Sequence, residues 1–178
     1  MADPFHKAFL FKNEYDQELP FSDCDGLGLY VHIPFCRSIC SFCPYCKTLY
    51  TEEACSRYID ALIREIHLAG SQAPGKKTVT SLYFGGGTPA LAADRIKEII
   101  DAIQEHFIIT QGIGIELHPE NVTPRTLHIL KEAGITKLSI GIQSFQEKFQ
   151  KLLGRTGADM DPLKAALSQV PFETVSMD

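Results

Sequence analysis

The sequence predicts an α/β domain built on a parallel sheet. Short aliphatic segments alternate along the chain with longer segments whose apolar residues recur at helical spacing. The predicted strands are aliphatic at consecutive positions, which is typical of a sheet that helices cover on both faces. Because parallel strands need crossover connections, this alternation indicates right-handed βαβ units.

The predicted elements follow one another in a regular order. Residues 1–26 show little periodicity, and we interpret them as a leader that packs on the domain formed by residues 27–178. Strands are predicted at Leu27–Ile33, Thr78–Phe84, Ile113–Leu117, Thr136–Ile142 and Glu173–Met177. Helices are predicted from Thr51 to about Gly70, from about Ala92 to Phe107, from Pro124 to Gly134, and over Phe145–Leu153 and Pro162–Val170.

Residue types at the ends of these elements support the assignment. Thr51 is suited to cap the first helix, and Glu52 and Glu53 suit its positive end. Pro124 fits the first turn of the third helix. The sequence ends directly after the last predicted strand, which would leave that strand exposed at the edge of the sheet. Because an exposed edge strand can pair with other chains and cause aggregation, we expect the chain to be the N-terminal part of a longer protein.

Composition and charge exclude several classes of function. The net charge is −5 and no basic stripe is present, so we expect no nucleic-acid partner. No apolar stretch approaches the roughly 20 residues of a membrane span, and no secretory signal opens the sequence. These features favour the cytoplasm, where clustered cysteines hold metal more often than they form disulfides.

Four cysteines lie in a short segment directly after the first strand: Cys36, Cys40, Cys43 and Cys46. Four thiolates could hold a structural zinc ion, although such sites usually pair two separated knuckles. Cys40-x2-Cys43-x2-Cys46 matches the start of a ferredoxin motif, but the fourth ligand position holds Tyr50. Cys36-x3-Cys40-x2-Cys43 could instead hold three irons of a [4Fe-4S] cluster and leave the fourth iron open for a ligand.

Several motifs in a fixed order resemble those of the radical S-adenosylmethionine (SAM) enzymes. They are Tyr30–Cys36 (YVHIPFC), the three-cysteine spacing with Phe42, Tyr83–Pro89 (YFGGGTP), Leu138–Phe145 (LSIGIQSF) and Gly154-Arg155. Within that superfamily they are similar to the branch of the oxygen-independent coproporphyrinogen III oxidases. The resemblance runs from about Leu29 to Asp178. It implies a partial (β/α) barrel of the TIM-like, radical SAM type.

The resemblance also implies a site. Cys36, Cys40 and Cys43 would ligate the [4Fe-4S] cluster, and SAM would bind the open iron. The other implied SAM contacts are Tyr30, Phe42, Gly86, Gly87, Thr88, Glu116, Gln143, Arg155 and Asp178. For the glycines the chemistry agrees, since a glycine backbone can approach a ligand closely and offers unblocked N–H groups. We interpret His32, inside the first strand, as a packed histidine rather than a ligand.

Three of these residues have simpler interpretations that stay open. Glu116 could be an exposed loop charge, because it is followed by His118-Pro119. Gln143 could satisfy backbone groups at a strand end, and Arg155 could be a cation at a helix end. The glycine run could also be a plain turn.

The implied reaction is reductive cleavage of SAM to methionine and a 5′-deoxyadenosyl radical, which abstracts a hydrogen atom from the substrate. The branch implies a porphyrinogen or haem as substrate, and a flavodoxin or ferredoxin as electron donor. Oxidative decarboxylation of a porphyrinogen, methyl transfer or ring opening, and haem delivery by a chaperone are the open alternatives. The family has a further cysteine two residues beyond its third ligand, whereas here that position is Tyr45 and the cysteine is Cys46.

Overall fold

The computed structural model describes residues 24–73, 75–154 and 159–178. Nearly all of the predicted leader and Arg155 therefore lie outside the described residues. Each pair of neighbouring strands in the described part of the chain is parallel, as predicted.

The strands and helices alternate in the predicted order. The strands are β1 (Gly26–Ile33), β2 (Phe35–Cys36), β3 (Thr48–Leu49), β4 (Lys77–Gly86), β5 (Phe107–Ile109), β6 (Ile113–Leu117), β7 (Ile135–Ile140) and β8 (Thr174–Met177). The helices are α1 (Glu52–Ser71), α2 (Ala93–His106), α3 (Pro124–Glu132), α4 (Glu147–Leu152) and α5 (Met160–Gln169). Short 3₁₀ helices at Pro89–Ala92 and Pro119–Asn121 follow β4 and β6.

The main sheet has the strand order β1-β4-β6-β7-β8, and β5 pairs with the first residues of β4. Strands β2 and β3 form a separate small parallel pair. Because all of these strands are parallel, the carboxyl ends of β1, β4, β6 and β7 meet at one edge of the sheet. That edge carries the cysteine loop, which follows β1.

The five predicted strands are all present, with ends that differ by one or two residues at most. The expectation of five strands was nevertheless too low for the described chain, because β2, β3 and β5 were missed. A strand of two or three residues carries no periodic pattern, so nothing in the sequence marks it. Helix α4 begins at Glu147 rather than Phe145, since Ser144 and Phe145 still belong to the loop after β7.

The core lies between the sheet and the helices. On α2, Ile96, Ile99, Ile100 and Ile103 are buried, as their spacing predicted. Thr51 caps α1 by accepting a hydrogen bond from the N–H of Ala54 at 3.2 Å. Helices α1 and α2 pack side by side, and α3 packs against α2 and α5. None of the helices among the described residues is long and apolar enough to cross a membrane.

Candidate functional site

A cavity lies at the edge of the sheet where the strands end, between the cysteine loop and the strand ends. Cys36, Cys40 and Cys43 line one side of it. Residues at or just after the carboxyl ends of β4, β6, β7 and β8 line the other, and they include Gly86, Gly87, Thr88, Glu116, Gln143 and Asp178. Of the predicted cofactor residues that the structure describes, all but Tyr30 line this cavity, and they include Phe42 from the loop.

The small β2–β3 pair closes the base of the cysteine loop. The N–H of Thr48 donates to the carbonyl of Pro34 at 2.8 Å, and the N–H of Tyr50 donates to the carbonyl of Cys36 at 2.9 Å. Within the loop, the ammonium of Lys47 donates to the carbonyl of Cys43. The first ligand candidate, Cys36, therefore lies in a hydrogen-bonded strand pair rather than in open loop.

The four loop cysteines do not have equivalent positions. Cys36, Cys40 and Cys43 are partly buried and line the cavity, whereas Cys46 is exposed and does not line it. No disulfide joins any two of the six cysteines, all of which belong to the described residues. The pKa of the Cys36 thiol is raised, mainly by burial, while a hydrogen bond from Thr88, at 4.0 Å from its sulfur, acts in the opposite direction.

A single metal ion does not fit these cysteines as they stand. Among the described residues, the one set of three or more histidine, cysteine and carboxylate groups whose ligand atoms lie within 4.8 Å of one another contains no loop cysteine. One zinc ion needs its sulfurs to converge on a centre about 2.3 Å from each of them. A cluster in which each thiolate binds a different iron has no such requirement. The donor set therefore fits an iron–sulfur cluster better than a zinc ion.

The backbone N–H groups of the glycine run have protein acceptors. The N–H of Gly86 donates to Glu116 Oε2 at 3.2 Å, that of Gly87 to the carbonyl of Ile33 at 2.9 Å, and that of Thr88 to the carbonyl of Phe35 at 2.8 Å. The expectation that these groups are unblocked is therefore wrong. They hold the end of β4 against the segment that leads into the cysteine loop.

Glycine is nevertheless required at two of these positions. A Cβ atom on Gly87 would lie 2.6 Å from the carbonyl oxygen of Phe35 and 2.7 Å from the carbonyl carbon of Pro34. Gly86 has φ +121°, a conformation that residues with a side chain rarely adopt. The run is thus more than a plain turn, because it allows β4 to approach the base of the cysteine loop.

Glu116 is half-buried at the end of β6 and lines the cavity, so it is not an exposed loop charge. Burial raises the pKa of its carboxyl, and the nearby Asp178 carboxylate adds to the increase. Hydrogen bonds from the Gly86 N–H and the Tyr83 side chain act against it. An acceptor held in this way at a cavity wall can bind a hydroxyl or ammonium group of a ligand.

We predict that Glu116→Gln weakens SAM binding by about 1.5–3 kcal/mol, which corresponds to roughly 10- to 100-fold, because it removes a charged acceptor. The same change alters the pH dependence of folding. Since the pKa of Glu116 is raised in the folded state, that state holds the proton to higher pH, and stability falls as pH rises from the unfolded value of 4.5.

The substitution should remove this decrease from the ligand-free protein. Equilibrium dialysis with SAM and urea unfolding between pH 4.5 and neutrality measure the two effects. Unchanged SAM affinity together with an unchanged pH slope would contradict the assignment of Glu116.

Gln143 follows β7 and has φ +69°, which is the only positive value for a non-glycine residue in the described chain. Its N–H donates to the backbone oxygen of Asp178 at 2.6 Å. The Asp178 carboxylate accepts a hydrogen bond from the Ser139 hydroxyl at 2.8 Å. An uncommon backbone conformation at a cavity wall is a feature of functional sites, and it fits a role for the Gln143 side chain beyond ending a strand.

The two aromatic residues among the predicted SAM contacts, Tyr30 and Phe42, are both exposed. Tyr30 is 59% exposed and does not line the cavity, but its hydroxyl lies 3.2 Å from Nδ1 of His32. Phe42 lines the cavity from the loop and is 39% exposed. The role implied for each remains a prediction.

His32 connects the end of β1 to the cysteine loop. Its Nε2 lies 3.0 Å from the carbonyl oxygen of Cys46, which can only accept, so Nε2 donates and Nδ1 accepts from the Tyr30 hydroxyl. The Tyr58 hydroxyl on α1 donates to the His32 carbonyl at 2.7 Å. Sequence reasoning interpreted His32 only as a packed histidine, because its partners become neighbours only in the folded chain.

We predict that His32→Leu releases the loop and that the assembled cluster is then lost to a chelator about 10-fold faster, as for other residues that support metal ligands. The decay of the cluster absorption measures this rate. His128→Leu, which changes an exposed histidine on α3, is the matched control and should leave the rate unchanged. Equal rates for wild type and His32→Leu would show that the contact does not support the cluster.

Sequence reasoning also missed cavity residues that do not belong to the glycine run or to the cysteine motif. They include Ser139, His118, Asn121 and Lys47. Ser139 lies between the buried Leu138 and Ile140 near the carboxyl end of β7. A polar residue at that end of a predicted strand was the signal that could have indicated a cavity residue. His118 lies in the segment directly after β6, beside Glu116.

The cysteine loop and the strand-end residues around the cavity belong to a known family. Residues 30–168 match the family model of the radical SAM superfamily, and the chain belongs to that superfamily. Membership implies SAM and a [4Fe-4S] cluster as cofactors. The cysteine spacing and the strand-end motifs therefore predicted the family correctly.

Relatives in the same branch have different functions. The chain is 39% identical over 132 residues to an anaerobilin synthase from Escherichia coli. The aligned residues cover 72% of this chain and 30% of that relative. It is 31% identical to the heme chaperone HemW of Bacillus subtilis, over 84% of this chain and 41% of the relative. It is 30% identical to the oxygen-independent coproporphyrinogen III oxidase of Pseudomonas aeruginosa, over 85% of this chain and 35% of the relative.

A solved structure agrees with the fold. The coproporphyrinogen III oxidase HemN from Escherichia coli, a radical SAM enzyme, superimposes with a TM-score of 0.77 at 30% identity, over 86% of this chain and 37% of HemN. The prediction of a parallel, TIM-like radical SAM fold is confirmed by this match. The chain thus spans between 30% and 41% of the length of these relatives.

Proposed function

We propose that the protein is a radical SAM enzyme whose cluster is held by Cys36, Cys40 and Cys43, with one iron open to SAM. The observation that carries this proposal is that these three cysteines line the same cavity as the strand-end residues, while Cys46 does not. Three thiolates leave a coordination position free, which is what separates a reactive metal site from a structural one.

The chain's residues would position SAM and keep water out. When bound, the cluster would supply the electron for reductive cleavage of SAM to methionine and a radical that removes a hydrogen atom from the substrate. Gly86 and Gly87, which let β4 lie against the base of the cysteine loop, would form the cavity wall at the amino-acid part of SAM, and Glu116 would accept from the hydroxyl or ammonium donors of SAM. Gln143 and Asp178 would contact SAM from the ends of β7 and β8, and Arg155 and Tyr30 stay predicted contacts.

A porphyrin-type substrate is the next part of the proposal, with oxidative decarboxylation of a porphyrinogen as the favoured reaction. The names of the relatives support it, since they refer to coproporphyrinogen, heme and anaerobilin. An exposed aromatic side chain at the cavity also supports it, because Tyr45 lines the cavity, is 68% exposed and could contact a large macrocycle. Ring opening or methyl transfer on the same class of substrate is the alternative reaction.

The test is anaerobic turnover by the full chain with an assembled cluster, dithionite and SAM. The proposal predicts 5′-deoxyadenosine in amounts that rise with added coproporphyrinogen, together with a product that has lost one carbon dioxide and two hydrogen atoms for each propionate side chain converted. A product that keeps every carboxyl group but has lost the closed macrocycle would support ring opening instead. Cluster assembly without any 5′-deoxyadenosine would contradict the enzyme proposal.

Haem delivery is the second candidate, and the match to HemW over 84% of this chain favours it. A chaperone would bind haem without turning it over. Stable haem binding with no haem-dependent 5′-deoxyadenosine would decide for it.

We further propose a flavodoxin or ferredoxin as electron donor and the cytoplasm as the compartment, since a cluster with an open iron needs reducing conditions.

A further inference from the structure

Two histidines and a glutamate, side chains of types that can ligate a metal, meet at the opposite edge of the sheet from the cavity. His67 lies near the carboxyl end of α1, and Glu105 and His106 are the last residues of α2. Residue 107, which follows directly, pairs with Lys77 at the start of β4, whereas the cavity lies at the other end of that strand. The group is therefore separate from the cysteine loop.

The donor atoms of the group face one another. Nδ1 of His67 lies 2.9 Å from Nε2 of His106 and 3.7 Å from Oε2 of Glu105, and all three atoms lie within 4.8 Å of one another. At a metal–nitrogen distance of about 2.05 Å, a nitrogen pair separated by 2.9 Å subtends roughly 90° at the metal. That angle suits an octahedral ion, and a small opening of the pair would suit a tetrahedral one.

The hydrogen bond between the two imidazoles uses the same two nitrogens that would bind a metal, so a cation would replace this bond once the donor ring moves its proton to its other nitrogen. The carboxylate of Glu105, at 3.7 Å, lies beyond hydrogen-bond length. A cation placed between the three atoms would be bound by all of them. Imidazole together with a carboxylate suits Zn²⁺, Co²⁺ or Ni²⁺, whereas Mg²⁺ and Ca²⁺ prefer oxygen ligands alone.

A buried glycine on α1 gives His106 its position. A Cβ atom on Gly70 would lie 2.3 Å from Cγ of His106 and 2.5 Å from its Cβ. Glycine inside a helix is less stable than alanine by about 0.5–1 kcal/mol, so the residue is unfavourable for α1 itself. Its presence allows the imidazole to pack directly against the α1 backbone and to face His67. This contact is independent of the distances between the donor atoms.

We propose that His67, Glu105 and His106 bind a divalent transition-metal ion of the Zn²⁺ type, with water completing its coordination. The ion would join α1 to α2 near their carboxyl ends, where the α2 dipole also favours a cation. The other end of the same helix pair already has such a link, since Arg95 of α2 bonds Asp60 of α1 at 2.9 Å. The site would hold the helix pair together and take no part in the reaction of the cysteine cluster.

The test is calorimetric titration of Zn²⁺ into the full chain with its iron–sulfur cluster intact, so that Cys36, Cys40 and Cys43 are already engaged. We expect one equivalent of Zn²⁺ to bind and to raise the melting temperature, because the ion binds only the folded state. His67→Asn and His106→Asn should each lose the binding signal and the shift in melting temperature. His128→Asn, on α3, is the matched control and should keep both.

Co²⁺ shows which ligands bind. At this site it should give visible d–d bands without the near-ultraviolet charge-transfer band of a thiolate ligand. Absence of Zn²⁺ binding to the wild type, binding that persists in His67→Asn and His106→Asn, or a thiolate band would each overturn the proposal. Cluster-dependent SAM cleavage should be unchanged in His67→Asn, and this readout separates a lost metal site from a misfolded chain.

Discussion

Cys40→Ser is expected to lose the [4Fe-4S] cluster and to form 5′-deoxyadenosine only at background level. Cys40 lies between the two other predicted ligands and lines the cavity with them. A hydroxyl is a poor replacement for a thiolate on iron, and two remaining thiolates cannot hold the cluster with an open position. Iron and sulfide content after anaerobic reconstitution, and product formation with dithionite and SAM, measure the effect.

The matched control is Cys46→Ser, in the same loop. Cys46 is exposed, lies outside the cavity, and has its backbone carbonyl rather than its sulfur in a contact with His32. We expect this variant to keep a full complement of iron and its SAM cleavage. Loss of the cluster in Cys46→Ser with retention in Cys36→Ser would support the ferredoxin-like ligand set and contradict the three-cysteine assignment.

Gly87→Ala is the second substitution with a large expected effect. The added methyl group would overlap the backbone of Phe35 and Pro34, at 2.6 Å and 2.7 Å. Backbone atoms of a hydrogen-bonded segment cannot move aside as a flexible side chain can, so we expect a loss of about 1–3 kcal/mol in the free energy of unfolding. Because Phe35 leads directly into Cys36, the displaced segment should also weaken SAM binding at the cluster.

Urea unfolding measures the stability and equilibrium dialysis with SAM measures the affinity. Gly28→Ala is the matched control, because Gly28 is exposed on β1 and a Cβ atom there has no neighbour within 4 Å. We expect Gly28→Ala to leave both quantities nearly unchanged. A Gly87→Ala protein as stable as the Gly28→Ala protein would show that the close approach of β4 to residues 34–35 is not required.

The fold could be predicted from the sequence to the extent that it depends on long periodic segments. The aliphatic segment from Ile113 to Leu117 and the apolar face of α2 are such segments, and both are present as predicted. Parallel strands also bring their carboxyl ends together, so the meeting of the cysteine loop with Gly86 and Glu116 followed from the order of elements. Strand pairs as short as β2–β3 have no comparable signal.

The contacts within the site could not be predicted, because they depend on which groups meet after folding. The N–H groups of Gly86 and Gly87 seemed available for a ligand, but they bind Glu116 and the carbonyl of Ile33. His32 gave no signal for its contact with the carbonyl of Cys46, fourteen residues away. The cluster of His67 and His106 joins residues 39 apart, a separation that no local pattern reveals.

The central claim is that three cysteines hold a cluster with one iron open to SAM. Mössbauer spectroscopy of the full chain, reconstituted with isotopically enriched iron, tests it directly. We predict that adding SAM changes the signal of one iron in four and leaves the other three unchanged, in the wild type and in Cys46→Ser alike. Four irons that give the same spectrum with and without SAM would contradict the claim and indicate a cluster closed by four thiolates.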